Sequence, residues 1–362
     1  MTHVLGWLVT ESPVLPFGLL VASTAWAIGQ SGIDSPLFWI GFGVAVPTSV
    51  GLVIIALRAA RTGPAIDRAL NEGLGPGWRS LEPALADRLL RRPSLARTLY
   101  APFRFRHPDV ERVANIRYGG AGRANRLDLY RHRHQPSEGP TLVHLHGGAF
   151  VFGRKSREAR PLFYRLARHG WTCVSANYRV RRAGRFPNPL IDVKKALAWV
   201  REHGPEHGAN REVVLVAGSS AGANLAALAA LTADDPAFQP GFERVDTSVS
   251  GAICMYGYYG AIDGGGRVPS SPSAYVGDRS PPFLIAHGDQ DALVLVEDVR
   301  RFVDELRTAS RSPVVYAELP GAQHGFDYFD SVRFELVIDA IEAFAAWVRS
   351  ASRSPGPDGR FA

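Results

Sequence analysis

The run Val213-Val214-Leu215-Val216-Ala217-Gly218-Ser219-Ser220-Ala221-Gly222-Ala223-Asn224-Leu225-Ala226 decides how the rest of the chain is read. A valine-rich apolar stretch, about as long as a buried strand, stops at Gly218. An alanine- and leucine-rich helical pattern then runs from about Ala221 to Ala233. Between them lies G-x-S-x-G with Ser220 at its centre. A serine on so abrupt a strand-to-helix turn takes strained backbone angles, and glycines on either side let the two elements pack closely. The turn lifts the hydroxyl above the sheet edge, with the Ala221 amide aimed at the same space, which suits a nucleophile. A serine-capped helix entry has the same local pattern. What separates the two is whether a base, an acid and an oxyanion hole follow in a workable order.

Working outward, strands and helices alternate from residue 113 onward. The pattern predicts strands at 113–118, 126–131, 141–146, 172–177, 213–217, 249–256, 282–287 and 314–319. It predicts helices at 157–168, 190–203, 221–233, 296–309 and 332–349. Strands 141–146, 172–177 and 213–217 are apolar at most positions, as in a sheet covered on both faces. Helices between successive strands imply right-handed parallel crossovers. The first two strands are expected to pair as an antiparallel hairpin across Gly119, Gly120 and Gly122.

Ligands of such sheets gather beyond the carboxyl ends of the strands. At the end of strand 141–146 stands His146-Gly147-Gly148-Ala149-Phe150. A turn of small residues there turns backbone N–H groups toward a developing oxyanion, and with the Ala221 amide it forms a candidate oxyanion hole. After strand 282–287 comes His287-Gly288-Asp289-Gln290-Asp291-Ala292-Leu293-Val294. Either aspartate could orient a histidine; Asp291 is preferred because Leu293 and Val294 anchor its loop, leaving Asp289 to brace the turn. After strand 314–319 comes Gly321-Ala322-Gln323-His324-Gly325-Phe326, where small neighbours leave the His324 ring free. The order Ser220, Asp291, His324 is the one expected for a nucleophile elbow on this sheet.

With HGGAF, NYRVRRAGRFPNPLIDVKKALAWV, GSSAGANLAAL, HGDQDALV and GAQHGF, the chain resembles the hormone-sensitive-lipase-like esterases of the α/β-hydrolase fold. It resembles in particular their membrane-tethered actinobacterial members. The resemblance covers about 113–349. It implies a mostly parallel eight-stranded sheet with helices on both faces. It further implies Ser220 as nucleophile, His324 as base, Asp291 as its partner, and the amides of Gly148, Ala149 and Ala221 as the oxyanion hole. Ala149 replaces the third glycine of an HGGG motif, and Ala223 stands where a further glycine is usual; both keep their amides.

Composition bounds the rest. The two cysteines, Cys173 and Cys254, fall in apolar stretches and read as packed thiols. No CxxC or HExxH occurs, and His144 and His146 lack a third ligand, so neither a metal nor a cofactor is expected. Residues 1–57 carry only Glu11 and Asp34, residues 58–134 carry sixteen arginines against seven acids, and the remaining 228 residues balance at zero. Nothing in this distribution calls for a nucleic-acid partner.

Two uncharged runs, Ser12–Ile33 and Ser35–Leu57, are each long enough to cross a hydrocarbon core. A cleaved leader is disfavoured, because no lysine or arginine precedes the first run. The expected organisation is a transmembrane hairpin over 1–57, an arginine-rich linker and candidate cap over 58–112, a catalytic domain over 113–350 and a disordered tail over 351–362. Within the linker, short helices are predicted at 64–72 and 83–91. Arg58 and Arg61 after the second run place the catalytic domain in the cytoplasm at the plasma membrane, with membrane lipids as partners of the hairpin. An outward-facing domain is the alternative. The expected chemistry is hydrolysis of small or lipid carboxylic esters of short to medium acyl length through an acyl-enzyme. Amidase, acyltransferase and non-catalytic binding readings stand as alternatives on the same residues. Gly257–Pro281 is short and rich in Gly, Ser and Pro, so any cover over the site is expected mostly from 58–112.

Overall fold

The computed structural model describes residues 2–31, 35–81, 83, 87, 106–135, 137–262 and 268–353. Eight strands form one sheet: β1 (Val110–Arg117), β2 (Arg126–His132), β3 (Thr141–Leu145), β4 (Thr172–Ala176), β5 (Val214–Ser219), β6 (Gly251–Met255), β7 (Phe283–Gly288) and β8 (Val314–Leu319). Their order is β1-β2-β4-β3-β5-β6-β7-β8. Strand β2 runs antiparallel to both β1 and β4, and all later pairings are parallel. This matches the predicted sheet, with no boundary shifted by more than three residues. The strands read as apolar throughout, β3, β4 and β5, are buried at every position. In register, Leu145 of β3 faces Gly218 of β5, and Ser219 faces Met255 of β6. The carboxyl ends of three adjacent strands therefore finish level, with Ser220 in the middle.

Ten helices of α type are described, beginning with α1 (Thr2–Glu11), α2 (Val14–Ser31), α3 (Pro36–Ala59), α4 (Thr62–Leu74) and the single turn α5 (Trp78–Leu81). The sheet then carries α6 (Arg160–Arg168), α7 (Asn188–His203), α8 (Ala221–Leu231), α9 (Val296–Ala309) and α10 (Val332–Arg353). Leu70, Phe163 and Phe344 show α4, α6 and α10 packed into one apolar layer. Leu197, Leu228 and Phe302 show α7, α8 and α9 in the other. Both faces are thus sealed, as a parallel sheet requires.

Two features depart from the expected organisation. The segment 58–112 was expected as a linker, yet α4 and Trp78 lie in the core. Ile66, Ala69 and Leu70 form one helical face, and Gly73 continues it so close to β8 that a Cβ there would sit 2.7 Å from Val315 Cγ2. Asp67, Arg68 and Glu72 on the outer side mask that stripe in the sequence. The helix expected at 83–91 falls largely outside the described residues. At the far end, α10 continues to Arg353, past the expected start of the tail, and 354–362 lie outside the described residues.

The second departure is α1, a separate helix ahead of the expected α2–α3 pair. Helix α2 meets α1 at a bend of 94° across Ser12 and Pro13. It packs along α3, with Leu20, Thr24, Ile28, Phe42, Val46 and Val50 lining a groove between them. From Phe38 to Leu74 the chain forms a helix of 37 residues, long and apolar enough to cross a membrane, and only 11% of its most apolar window is buried. Both ends of the α2–α3 pair are fixed on the sheet domain. After α3, helix α4 packs on β8 and α10. Before α2, Glu11 is buried against Arg333 at the start of α10, and Ser331 Oγ donates to it at 2.7 Å.

Candidate active site

Ser220 sits at the N-cap of α8 with φ 56° and ψ −118°, a conformation few non-glycine residues adopt. Its neighbours explain how the turn fits. A Cβ on Gly222 would lie 2.1 Å from the Leu145 carbonyl, and one on Gly218 would lie 2.1 Å from the Gly222 carbonyl. Only glycine allows β3, β5 and α8 to approach this closely. The Ala221 amide belongs to the first turn of α8, where helix N–H groups have no partner within the helix.

His324 comes from the loop after β8, and Asp291 from the loop after β7. The structure brings both to Ser220: His324 Nε2 lies 3.0 Å from Ser220 Oγ, and His324 Nδ1 lies 2.7 Å from Asp291 Oδ2. The other oxygen, Asp291 Oδ1, accepts from the amides of Leu293 at 2.8 Å and Val294 at 3.0 Å. Burial pushes the Asp291 pKa up, but the His324 hydrogen bond and charge and the Val294 amide outweigh it, so the carboxyl stays below its usual range. His287 packs behind this pair and donates to the Val294 carbonyl, 3.0 Å away. Burial lowers its pKa. Asp289 is turned elsewhere: its Oδ1 accepts from the Gly321 amide at 2.6 Å and braces the β8 loop.

The residues of HGGAF lie against Ser220. A Cβ on Gly147 would come within 3.0 Å of Ser220 Cβ. The chain then turns through φ 120° at Gly148, 51° at Ala149 and 59° at Phe150, three successive left-handed residues. The Gly148 carbonyl accepts from the amides of Val151 and Phe152, both at 3.0 Å, closing the turn. His146 stacks on Tyr178 with ring centroids 4.3 Å apart and donates from Nδ1 to the Gly147 carbonyl. Burial lowers its pKa to about 4, so it is neutral. It shapes the turn rather than facing Ser220.

Several supporting groups escaped the sequence reading. Glu158 accepts from the Gly147 amide with Oε2 and from the Tyr328 hydroxyl with Oε1, the latter at 2.6 Å. Beneath Ser220, Ser219 Oγ donates to Asp327 at 2.6 Å, and Tyr256 donates to the other Asp327 oxygen. His144 Nε2 lies 3.1 Å from Ser219 Oγ. Because the serine proton goes to Asp327, His144 is the donor, which leaves its buried Nδ1 as a bare acceptor. Burial holds its pKa near 3 and keeps the ring neutral. His144 and His146 are thus both engaged in hydrogen bonds, and no cluster of three or more metal-ligating side chains occurs among the described residues. Part of the cover over the site comes from α1. Trp7 of α1 stands 5.9 Å from the His324 ring and 5.5 Å from Tyr328, centroid to centroid. A Cβ on Gly325 would lie 2.8 Å from the Trp7 ring. Nothing near Trp7 in the sequence signals this, since the contact depends on how a remote helix docks.

Comparisons with known proteins agree with one another. Residues 127–260 match the family model described as BD-FAE. The chain is 35% identical over 387 residues to a probable carboxylic ester hydrolase, LipM, of Mycobacterium tuberculosis, covering 98% of this chain and 88% of that one. It is 35% identical to the esterase LipQ of the same organism, over 82% of this chain and 77% of the relative. Among solved structures, a truncated carbohydrate esterase from gut microbiota superposes with a TM-score of 0.56 at 19% identity, over 65% of this chain and 96% of that one. Thermogutta terrifontis esterase 2, in a form phosphoramylated by tabun, superposes with a TM-score of 0.54 at 25% identity, over 66% and 94%.

Proposed function

The chain belongs to the hormone-sensitive-lipase-like carboxylic ester hydrolases of the α/β-hydrolase fold, and on that premise we propose that Ser220, His324 and Asp291 are its catalytic triad. The observation that carries this reading is the continuous relay, 3.0 Å from Ser220 to His324 and 2.7 Å from His324 to Asp291, at the ends of three strands. Ser220 Oγ attacks the ester carbonyl while its proton passes to His324 Nε2. The carbonyl oxygen, now negative, is held by the amides of Gly148, Ala149 and Ala221. When the tetrahedral species collapses, the carbon–oxygen bond to the alcohol breaks and His324 returns the proton to the leaving oxygen. Water then repeats the sequence on the acyl-enzyme and frees the acid. Asp291, held ionised by its hydrogen bonds, stabilises the imidazolium formed in each half. The substrate reading is an ester of short to medium acyl length; α1 narrows the mouth where an interfacial lipase would open widely.

The membrane reading extends this. Helices α2 and α3 form a hairpin whose two ends are both held on the hydrolase domain, which supports two crossings. A single crossing would put α1 on the side of the membrane away from Arg333. Arg58 and Arg61 at the foot of α3 favour a cytoplasmic domain over an outward-facing one.

Ser220→Ala and His324→Ala should each lower hydrolysis of p-nitrophenyl butyrate on the order of 10⁵-fold, and Asp291→Asn by less. An organophosphate such as paraoxon should label the peptide bearing Ser220 and no other. Turnover surviving in Ser220→Ala, or Asp289→Asn proving worse than Asp291→Asn, would overturn the assignment.

A further inference from the structure

The catalytic imidazole lies between two aromatic rings of different character. On its inner side Tyr256 is fully buried, 4.5 Å away between centroids and inclined at 62°. On its outer side stands Trp7, half-buried, from a helix that precedes the whole hydrolase fold. Trp7 also packs on Tyr328, and the Arg157 guanidinium lies 5.4 Å from the Tyr328 ring and 5.5 Å from that of Phe152. Trp7, Tyr328, Arg157 and Phe152 thus make one continuous wall from the base to the oxyanion turn. Helix α1 is held there by Glu11, whose carboxylate is buried on Arg333 and Ser331, and by Gly325, which leaves the indole room to seat.

We infer that Trp7 is a specificity-determining residue of the alcohol subsite, and that this subsite selects esters with a bulky apolar alcohol. The inference rests on the triad reading above. In the collapse step the leaving oxygen must lie within hydrogen-bond reach of His324 Nε2, while the acyl oxygen points to the amides on the other side of Ser220. The alcohol therefore extends from the imidazole. Tyr256 closes the inner direction, so the alcohol passes along the outer one, over the indole of Trp7. An apolar alcohol loses water against that ring, whereas methanol or ethanol is too small to reach it. The indole reaches this point only with α1 docked, so the subsite is complete only then.

The test uses full-length protein in detergent and two ester series. One keeps the acetyl group and varies the alcohol from ethyl through benzyl to naphthyl; the other keeps the alcohol and varies the acyl chain. Active sites are counted from the p-nitrophenol burst, so loss of folded enzyme does not enter. The ratio of variant to wild-type kcat/KM for each ester cancels the intrinsic reactivity of the leaving group. Trp7→Ala should lower the ratio for naphthyl relative to ethyl acetate on the order of tenfold, and leave the shape of the acyl series intact. Trp7→Phe should restore most of the preference. Equal losses on every ester would overturn the inference by making Trp7 a structural support alone. A changed acyl profile with unchanged alcohol selectivity would overturn it by placing the indole on the acyl side. Failure of the triad reading is seen separately, as turnover in Ser220→Ala.

Discussion

Removing the Glu158 side chain tests how the oxyanion turn is held. Glu158 touches no part of the triad, yet it takes the Gly147 amide on one oxygen and the Tyr328 hydroxyl on the other. In Glu158→Ala both donors are left buried without an acceptor, at about 1–3 kcal/mol each. The turn escapes that cost by moving, and the next two residues are Gly148 and Ala149, whose amides face the oxyanion in the proposed mechanism. One such donor out of place is worth about 3 kcal/mol, on the order of 10²-fold in kcat. Glu158→Gln keeps an acceptor for Gly147, and its amide nitrogen can donate to Tyr328, whose hydroxyl rotates to accept. It should stay within about tenfold of the parent. The assay is steady-state hydrolysis of p-nitrophenyl butyrate, with KM expected to change little because the ground-state carbonyl gains little from those amides. Circular dichroism on each variant separates local from global effects. If Glu158→Ala lost no more kcat than Glu158→Gln, the brace would be irrelevant and the reasoning refuted.

Two further expectations concern buried charge. Burial, and then the nearby Glu158 charge, push the Asp327 pKa up to about 7 against the pull of its Ser219 and Tyr256 hydrogen bonds. Its folded pKa therefore exceeds its unfolded one, the folded state holds the extra proton, and stability from this group falls as pH rises between the two values. Asp327→Asn should accordingly gain in thermal midpoint relative to the parent on going from about pH 5 to about pH 8; a constant or shrinking difference would show that the carboxyl is ionised throughout. Breaking the Glu11–Arg333 pair from one side, as Glu11→Ala, should cost about 3–5 kcal/mol, whereas Glu11→Ala with Arg333→Met should cost clearly less, since no lone charge stays buried. Additive losses by denaturant unfolding would mean that the two charges do not act as a pair.

The parts of this molecule visible in the sequence are those fixed within a few residues. Ser220 could be read because Gly218 and Gly222 flank it on a strand-to-helix turn. His324 and Asp291 could be read because each ends a strand whose apolar run is plain. The choice between Asp289 and Asp291 rested on Leu293 and Val294, and the amides of those two residues do bond Asp291, while Asp289 holds Gly321. What the sequence concealed depends on distant partners. Glu158 and Asp327 are ordinary acids until packing brings them to Gly147 and Ser219. The core face of α4 is hidden by the charged Asp67, Arg68 and Glu72 beside it. Trp7 reads as one more apolar residue beside a hydrophobic run, and only the bend at Ser12–Pro13 turns it away from α2 and over the imidazole.

The Glu11–Arg333 ion pair also sets a schedule for making the enzyme. Its members stand 322 residues apart. At about 5–20 residues per second, a ribosome needs about 16–64 s between them. Throughout that interval Glu11 lacks its Arg333 counter-ion, and α1 lacks the α10 site that holds it. Ser220, Asp291 and His324 are all synthesised before Arg333, so a chain stopped just short of α10 carries every reacting group and still leaves its base bare on the outer side. The latch closes only after Arg333 has been made. The alcohol selectivity proposed for Trp7 therefore arises only once Arg333 has been made, later than the proposed triad itself.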